Sequence, residues 1–227
     1  MPLIDIIHRF LGLNFFNVET NNLIIINASK QGYIKIVQEL IKNPFNNPSY
    51  LNNEAIIKAS YYGEDNIVKL LLKHPQVNPA DQDNQAIINA SFKGHINIVK
   101  KLMKDPRVNP AARNNQPIIY SSDNYKLFKL LYNDPRVNPA DQNNKLIIDA
   151  SYNNCYKIVN TLLNDDRVDP SAQNNELFIS SCINGSLSTI KKLLNNTRIN
   201  PFDQNNIIYT FNLKNSVKKI LHQFSLS

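Results

Sequence analysis

The sequence predicts an all-α fold, a solenoid of about seven helix-turn-helix repeats with little or no β-structure. A pair made of Asn or Asp followed by Asn recurs at Asn21-Asn22, Asn52-Asn53, Asp83-Asn84, Asn114-Asn115, Asn143-Asn144, Asn174-Asn175 and Asn205-Asn206. The intervals are 31, 31, 31, 29, 31 and 31 residues. A proline keeps the same period, at Pro48, Pro79, Pro110, Pro139, Pro170 and Pro201. Self-similarity at a fixed period of about 20–50 residues indicates stacked units that each contact only their neighbours.

The third repeat shows the elements of one unit in order. We expect Asn84 to cap its first helix and Gly94 to end that helix in a left-handed conformation. Apolar residues at helical spacing between Ile96 and Met103 predict a second, amphipathic helix with lysines on its outer face. Each helix is shorter than the roughly 12 residues that an isolated helix needs in water, so stability must come from stacking.

The repeat markers also predict how the chain is divided. The predicted segments are an N-terminal cap at 1–20, six repeats at 21–51, 52–82, 83–113, 114–142, 143–173 and 174–204, and a degenerate C-terminal capping repeat at 205–227. Repeat stacks need atypical terminal units for solubility. The alternative for residues 1–20 is a docking helix. The fourth repeat is two residues short because it lacks the Gly-His pair of its neighbours, which predicts a tighter turn.

Several motifs of the third repeat resemble those of the ankyrin repeat family. Ala90-Ser91 stands where the family has paired alanines, Gly94-His95 matches its Gly-His, and HINIVKKLM is similar to its second-helix signature. The stretch RVNPA resembles the family's Val-Asn-Ala, and Pro117 falls where its Thr-Pro-Leu-His motif has proline. The resemblance covers about residues 21–221 and implies helix, turn, helix and an outward loop.

The chain departs from the family pattern in three ways. Thr-Pro-Leu-His is degenerate, Asp-Pro-Arg replaces Gly-Ala-Asp, and each repeat is two residues short of the family length. We therefore expect tight turns instead of β-hairpins, because proline also removes a ladder donor. This short variety resembles the ankyrin repeat proteins of giant DNA viruses that infect amoebae.

Composition bounds the location and the partners of the chain. The 227 residues are 42% hydrophobic, enough for a continuous core, and carry a net charge of +7 from 25 basic and 18 acidic residues. Cys155 and Cys182 form no metal-binding spacing, and neither a secretory signal nor a membrane span is visible. We expect an intracellular, cytoplasmic protein, in the host cytoplasm if viral, that has no membrane partner.

The sequence contains none of the arrangements that predict catalysis. We find no Ser/His/Asp or Cys/His constellation, no paired-carboxylate site, no HExxH motif and no glycine-rich phosphate loop. We therefore predict a protein that is not an enzyme, with no catalytic residue, no metal site and no cofactor.

An arginine recurs at one position of the later repeats, at Arg107, Arg136, Arg167 and Arg198. Guanidinium groups stacked along one edge would suit acidic side chains or phosphates of a partner. The alternative is that each arginine pairs with an acid of its own loop, such as Asp105, Asp134 or Asp166, as part of the repeat formula.

The residues late in each first helix vary between repeats and are the stronger candidates for partner binding. They include Tyr61, Tyr62, Phe92, Lys93 and Tyr152. Aromatic side chains are enriched among the residues that dominate interface energetics. The alternative is that these rings pack between helices.

The predicted function is protein binding. The resemblance implies an adaptor, decoy or scaffold, expected to be monomeric, that binds another protein through its concave face and loop tips. The alternative is a basic solenoid that binds nucleic acid through its Arg and Lys columns, with an affinity that falls steeply as salt is added.

Overall fold

The computed structural model describes residues 18–200 and 211–225, and these residues form helices joined by short turns. They fall into two compact units, divided between Ala112 and Arg113. No strand occurs in the described ranges. The prediction of an all-α helix-turn-helix repeat fold with little or no β-structure is therefore confirmed.

The described residues of the first unit form six helices: α1 (Val18–Lys30), α2 (Ile34–Ile41), α3 (Tyr50–Tyr62), α4 (Asp65–Leu71), α5 (Asp81–Phe92) and α6 (Ile96–Leu102). The first helices α1, α3 and α5 pack side by side, and so do the second helices α2, α4 and α6. Each first helix also packs against the second helix of its own repeat. The unit is thus two layers of helices with an apolar core between them.

Equivalent residues of successive repeats fill that core. Ile25, Ile56 and Ile87 are at most 1% exposed. Val68 and Val99 are fully buried on the second helices. Burial of each large aliphatic side chain contributes about 1.5–3 kcal/mol. Because α4 and α6 have only 7 residues each, this packing supplies the stability that helices of such length lack in isolation.

The second unit continues the pattern with α7 (Ala112–Ile119), α8 (Tyr125–Tyr132), α9 (Asp141–Tyr152), α10 (Tyr156–Leu162), α11 (Ala172–Asn184), α12 (Leu187–Leu194) and α13 (Asn215–Ser225). Helix α9 packs on α11, and α10 packs on both α8 and α12. Helix α13 packs on α12 and buries Val217 and Leu221. The first helices α3, α5, α7, α9 and α11 begin at the same intervals of 31, 31, 29 and 31 residues as the Asn pairs.

The Asn pairs do not cap the first helices as expected. In the third repeat Gln82, Asp83 and Asn84 all have positive φ, at 52°, 55° and 64°, and form a left-handed turn at the start of α5. Asn84 Oδ1 accepts a hydrogen bond from the backbone N–H of Asn109 at 2.7 Å instead of one from its own helix. The predicted N-cap role of Asn84 was therefore wrong.

This left-handed turn explains why asparagine marks the repeat. L-residues other than Gly, Asn and Asp pay about 1–2 kcal/mol in this conformation. Asn53 compensates for the strain in its own repeat because its Oδ1 accepts from the N–H of Asn78 at 2.9 Å and its Nδ2 donates to Asp81. Asn144 likewise accepts from the N–H of Asp169 at 2.8 Å. The side chain thus joins the start of each repeat to the loop at its end.

The turns between paired helices agree with the prediction of a left-handed residue. Gly94 has φ of +71°, and Asn154, which replaces glycine in the fifth repeat, has φ of 55°. In the short fourth repeat Asn124 caps α8, since its side chain accepts from the N–H of Leu127 at 3.1 Å. That bond is absent at the starts of α2, α4, α6, α10 and α12.

The predicted caps lie partly beyond the described ranges. Residues 1–17 of the N-terminal segment, and residues 205–210 with 226–227 of the C-terminal repeat, are outside the described residues. Within the part of the chain that the structure describes, every helix is too short or too polar to span a bilayer.

Candidate functional site

Aromatic and lysine side chains gather where the first helices of the first unit end. We call Lys30, Tyr61, Tyr62, Phe92 and Lys93 the aromatic–lysine surface. One of these residues ends α1, two end α3, and two lie at or directly after the end of α5. The 31-residue repeat places all of them at equivalent positions of neighbouring helices, so side-by-side packing of α1, α3 and α5 brings them together.

The lysine ammonium groups of this surface lie over its rings. Lys93 Nζ is 4.6 Å from the ring centroid of Tyr61 and 5.4 Å from that of Phe92. Lys30 Nζ is 5.2 Å from the centroid of Tyr62. The rings of Tyr61 and Tyr62 meet edge to face, with centroids 5.0 Å apart. Cation–π contacts at exposed sites contribute about 0.5–1 kcal/mol each, enough to favour this arrangement of the lysines.

The surface is open to solvent. Tyr62 is 46% exposed and Phe92 is 54% exposed, while Tyr61 is partly buried beneath Lys93. The predicted alternative, that these rings pack between helices, therefore describes Tyr61 better than Tyr62 or Phe92. Exposed rings held on rigid helices can bury apolar area on a partner at little conformational cost.

Two turn residues, Gly63 and His95, hold the backbone at the end of α3 beneath the aromatic rings. His95 Nε2 lies 3.1 Å from the carbonyl oxygen of Tyr61, which can only accept a hydrogen bond. The ring of His95 also packs against Gly63, where an added Cβ would stand only 2.8 Å from His95 Cε1. Gly63 has φ of +86°, so a side chain there would be both strained and sterically blocked. His95 is thus a packing residue that anchors the end of α3.

The lysines of the aromatic–lysine surface form no ion pair within residues 18–200 and 211–225. The lysine ion pairs of the first unit join Lys42 to Glu39, Lys58 to Glu54 and Lys101 to Asp65. Neither Lys30 nor Lys93 is paired with a carboxylate of the described residues. Both stand at helix C-termini, where the helix dipole favours a positive charge.

Comparison with known families identifies the repeats. Residues 25–114 match the family model described as ankyrin repeats (3 copies). These residues carry ankyrin repeats. A search of curated proteins found no match to the chain. Ankyrin repeats are generally protein–protein interaction modules and are typically non-enzymatic. The aromatic–lysine surface lies inside the matched residues.

The second unit carries the remaining predicted aromatic residue. Tyr152 ends α9 and is 46% exposed. Its hydroxyl donates to Glu176 Oε1, and this bond, with partial burial, raises the pKa of Tyr152 to about 12. Tyr152 is therefore held by a neighbour of its own unit, whereas Tyr61, Tyr62, Phe92 and Lys93 form one group in the first unit.

The arginines that recur in the repeat loops bind to their own chain. Arg107 makes a bidentate pair with Asp105 through Nε at 2.9 Å and Nη2 at 2.7 Å. Its Nη1 donates to the carbonyl oxygen of Val77, in the loop of the preceding repeat, at 2.9 Å. Arg136 makes the same bidentate pair with Asp134. These contacts correspond to the alternative in which each arginine pairs with an acid of its own loop.

Two of the later arginines differ in detail from what the sequence suggested. Arg167 pairs with Asp165, not with Asp166, and its Nη1 donates to the carbonyl oxygen of Val137 at 3.2 Å. Asp165 also accepts from the hydroxyl of Tyr132 at 2.8 Å. Arg167 first, and then Tyr132, lower the pKa of Asp165 to about 2.

Within the described residues, Arg198 binds carbonyl oxygens in place of a loop aspartate. Its Nη1 donates to the carbonyl oxygen of Val168 at 2.8 Å and its Nη2 donates to that of Leu163 at 2.7 Å. Asn196 stands where the loops of Arg107, Arg136 and Arg167 have aspartate, and its side chain accepts from the N–H of Arg198 at 2.9 Å. These two backbone oxygens orient the guanidinium.

The two thiols have the properties of structural cysteines. Cys155 and Cys182 are both free. Burial raises the pKa of Cys182 to about 12 and also raises that of Cys155. Thiols with raised pKa values stay protonated near neutral pH and are poor nucleophiles. The described residues contain no cluster of His, Cys, Asp or Glu side chains suited to a metal ion.

Lys30 was among the variable late first-helix positions that the sequence singled out, but it was not in the predicted set of contact residues. Its position, 31 residues before Tyr61 and 62 before Phe92, was the signal that could have added it to the set. Its placement over Tyr62 depends on side-chain rotamers, which periodicity does not determine.

Proposed function

We propose that this chain is a protein-binding module that holds a partner at the aromatic–lysine surface and the adjoining turns of the first unit. This is the first-helix face, which we predicted to be concave. The observation that carries the proposal is the group of exposed rings and unpaired lysines on three neighbouring helices. The chain would act inside a cell as a monomeric, non-enzymatic adaptor, decoy or scaffold.

The energetics of interfaces support this choice of surface. Tyrosine is among the residues that most often dominate binding energy, and rings near the centre of an interface contribute most. Tyr62 and Phe92 are exposed while Tyr61 and His95 hold the backbone beneath them. A surface that is ordered before binding loses little entropy when the partner docks.

The nucleic-acid alternative has less support. It relied on the arginine column, but the guanidinium groups of Arg107, Arg136 and Arg167 are bound by carboxylates of their own loops. A phosphate would have to displace these bidentate pairs. The exposed lysines of the second helices would then be the remaining basic groups for a nucleic acid.

Capture of partners with paired variants tests the proposal. Tyr62→Ser with Phe92→Ser removes the two exposed rings of the aromatic–lysine surface. Tyr125→Ser with Tyr156→Ser removes two exposed rings of the second unit and is the matched control. Each immobilised protein is incubated with nuclease-treated cell extract, and the retained proteins are quantified by mass spectrometry.

We expect a set of proteins that the parent chain and the control variant retain and the first variant loses. Thermal melts monitored by circular dichroism check that all three chains are folded. Equal retention by both variants would contradict the proposed surface. Retention that occurs from an untreated extract but not from the nuclease-treated extract would instead favour the nucleic-acid alternative.

A further inference from the structure

We infer that the aromatic–lysine surface recognises an acidic peptide segment, in which two carboxylates flank or adjoin an apolar side chain. This inference rests on the proposed function and adds the chemistry of the partner to it. The first observation is the hydrogen-bonding character of the surface. Lys30 and Lys93 present ammonium groups, which only donate, and no carboxylate of the described residues neutralises them.

The second observation is that these two lysines are already positioned. Each ammonium lies over a ring, at 4.6 Å for Lys93 over Tyr61 and 5.2 Å for Lys30 over Tyr62. A lysine held in this way has lost part of its conformational freedom before a partner arrives, so an ion pair costs less entropy. No such ring contact holds Lys69 or Lys100, which are exposed on the second helices of the described first unit.

The third observation is the spacing of the two ammonium groups. Lys93 Nζ lies 4.6 Å from the Tyr61 ring centroid, that centroid lies 5.0 Å from the Tyr62 centroid, and Lys30 Nζ lies 5.2 Å from the Tyr62 centroid. These lengths limit the separation of the ammonium groups to about four residues of extended peptide, at roughly 3.3–3.6 Å per residue. Two acidic residues within such a segment can therefore pair with both lysines, while a side chain between or beside them packs on Tyr62 or Phe92.

The same contacts favour a peptide over a single-stranded nucleic acid. Binding of single strands uses aromatic rings on which successive bases stack. Here a lysine ammonium lies over each of the rings of Tyr61, Tyr62 and Phe92. A base would have to displace that lysine in order to stack, whereas a carboxylate can bind to the ammonium where it stands.

Selection from a displayed library of random peptides, each about 12 residues or roughly 40 Å long when extended, tests the inference with a defined probe. The selection uses the parent chain and the Tyr62→Ser, Phe92→Ser variant in parallel. We expect peptides enriched on the parent chain alone, with two Asp or Glu residues within about four positions of each other. An aromatic or aliphatic residue should lie between or next to them.

Other outcomes separate this inference from the proposed function. Enriched peptides that need Tyr62 and Phe92 but carry no acidic pair would overturn the acidic partner and leave the protein-binding surface intact. Peptides enriched equally on both chains would contradict the surface itself. A selection that enriches nothing would count against both.

Fluorescence anisotropy then measures the part played by the two lysines. The selected peptide is compared with its amide form, in which every Asp and Glu is replaced by Asn or Gln, and with oligothymidylate of equal length. Lys30→Gln with Lys93→Gln should weaken binding of the acidic peptide by about tenfold. Lys69→Gln with Lys100→Gln changes the net charge equally and should alter binding less than about twofold.

The amide peptide should bind parent protein about as weakly as the acidic peptide binds the Lys30, Lys93 variant. Equal binding of the acidic and amide peptides would overturn the inference, as would equal losses in the two lysine variants. Oligothymidylate that binds as tightly as the peptide, and is lost in the Lys30, Lys93 variant, would assign the surface to nucleic acid.

Discussion

Both units have a serine at the same position of successive repeats, but the hydrogen bonding of its hydroxyl differs between the units. In the first unit Ser29, Ser60 and Ser91 are at most 1% exposed, and their hydroxyls have no hydrogen-bond partner among the described residues. In the second unit Ser122 Oγ accepts from Asn153 Nδ2 at 3.0 Å, and the hydroxyl of Ser151 lies 2.8 Å from that of Ser181, which stands one position earlier in the next repeat. A buried hydroxyl without a partner costs about 1–3 kcal/mol, so equivalent positions contribute differently to stability.

Side chains of the next repeat explain the difference. The position before this serine carries alanine at Ala59 and Ala90 in the first unit, but serine at Ser181 in the sixth repeat. The hydroxyl of Ser180 also donates to Ser151 Oγ at 3.2 Å. The position in the repeat thus determines burial, whereas the side chains of the next repeat determine whether a buried hydroxyl finds a partner.

The largest expected effect tests whether the two units share one kind of core. Ile87→Ala in the first unit and Ile118→Ala in the second each remove a fully buried side chain. We expect each to reduce the free energy of unfolding by about 2–5 kcal/mol. Urea denaturation measures it, with the exposed Lys100→Ala as a control expected within about 0.5 kcal/mol. Isoleucine variants as stable as the lysine variant would contradict the assignment of these positions to the core.

The next effect concerns the loop ion pairs and their pH dependence. Arg167 and Tyr132 lower the pKa of Asp165 to about 2, whereas Asp105 in the first unit has a pKa lowered mainly by Arg107. A lowered folded-state pKa stabilises the fold above the unfolded pKa, and this stabilisation is lost as pH falls through the folded pKa. For Asp165 it amounts to about 2 kcal/mol, fully present above about pH 5 and lost between about pH 4 and 2.

Asp165→Asn should therefore lower stability at neutral pH and flatten the stability curve on the acid side. Asp105→Asn should do the same more weakly, because Asp105 lacks a bond like that from Tyr132. Urea melts at a series of pH values measure both variants. A curve for Asp165→Asn that stays parallel to that of the parent chain would show that the carboxylate does not contribute as proposed.

The hydroxyl of Ser151 in the second unit should contribute to the free energy of unfolding. Ser151→Ala removes the partner of Ser180 and Ser181 while leaving the helix intact. We expect a loss of about 1 kcal/mol, the usual net value of one hydrogen bond with its partner left behind. The midpoint of urea unfolding reports this loss, and an unchanged midpoint would remove the distinction between the units.

The smallest effect has the opposite sign. Ser60→Ala in the first unit deletes a buried hydroxyl that has no partner, and alanine fits the same helix better. We expect unchanged stability or a gain of up to about 1 kcal/mol, read from the same urea midpoint. A loss as large as that in Ser151→Ala would indicate that Ser60 has a hydrogen bond after all.

The parts of the fold that could be predicted were those set by periodicity and local conformation. The 31-residue period predicted the helix pairs, and Gly94 and Asn154 were correctly predicted to be left-handed because few residues adopt positive φ without strain. Asn84 was interpreted wrongly because asparagine suits both an N-cap and a left-handed turn. Its partner, the N–H of Asn109, lies 25 residues away, and a local pattern does not reveal that contact.

The candidate site was predictable to a similar extent. Tyr61 and Phe92 share one register and Tyr62 and Lys93 share the next, so the sequence could place them on one face. The contact of Lys93 with two rings, the inclusion of Lys30 and the pairing of Arg167 with Asp165 depend on side-chain rotamers. These details determine which charges remain available to a partner, and they required the folded chain.

The most direct test of the claim that the aromatic–lysine surface binds a partner is to map where a selected peptide contacts the protein. Amide chemical shifts of the isotopically labelled chain are recorded during titration with the peptide. We expect the largest chemical-shift changes at Lys30, at Tyr61 to Gly63 and at Phe92 to His95, and small changes along α4 and α6. Changes concentrated on the second helices, with the ends of α3 and α5 unaffected, would contradict it.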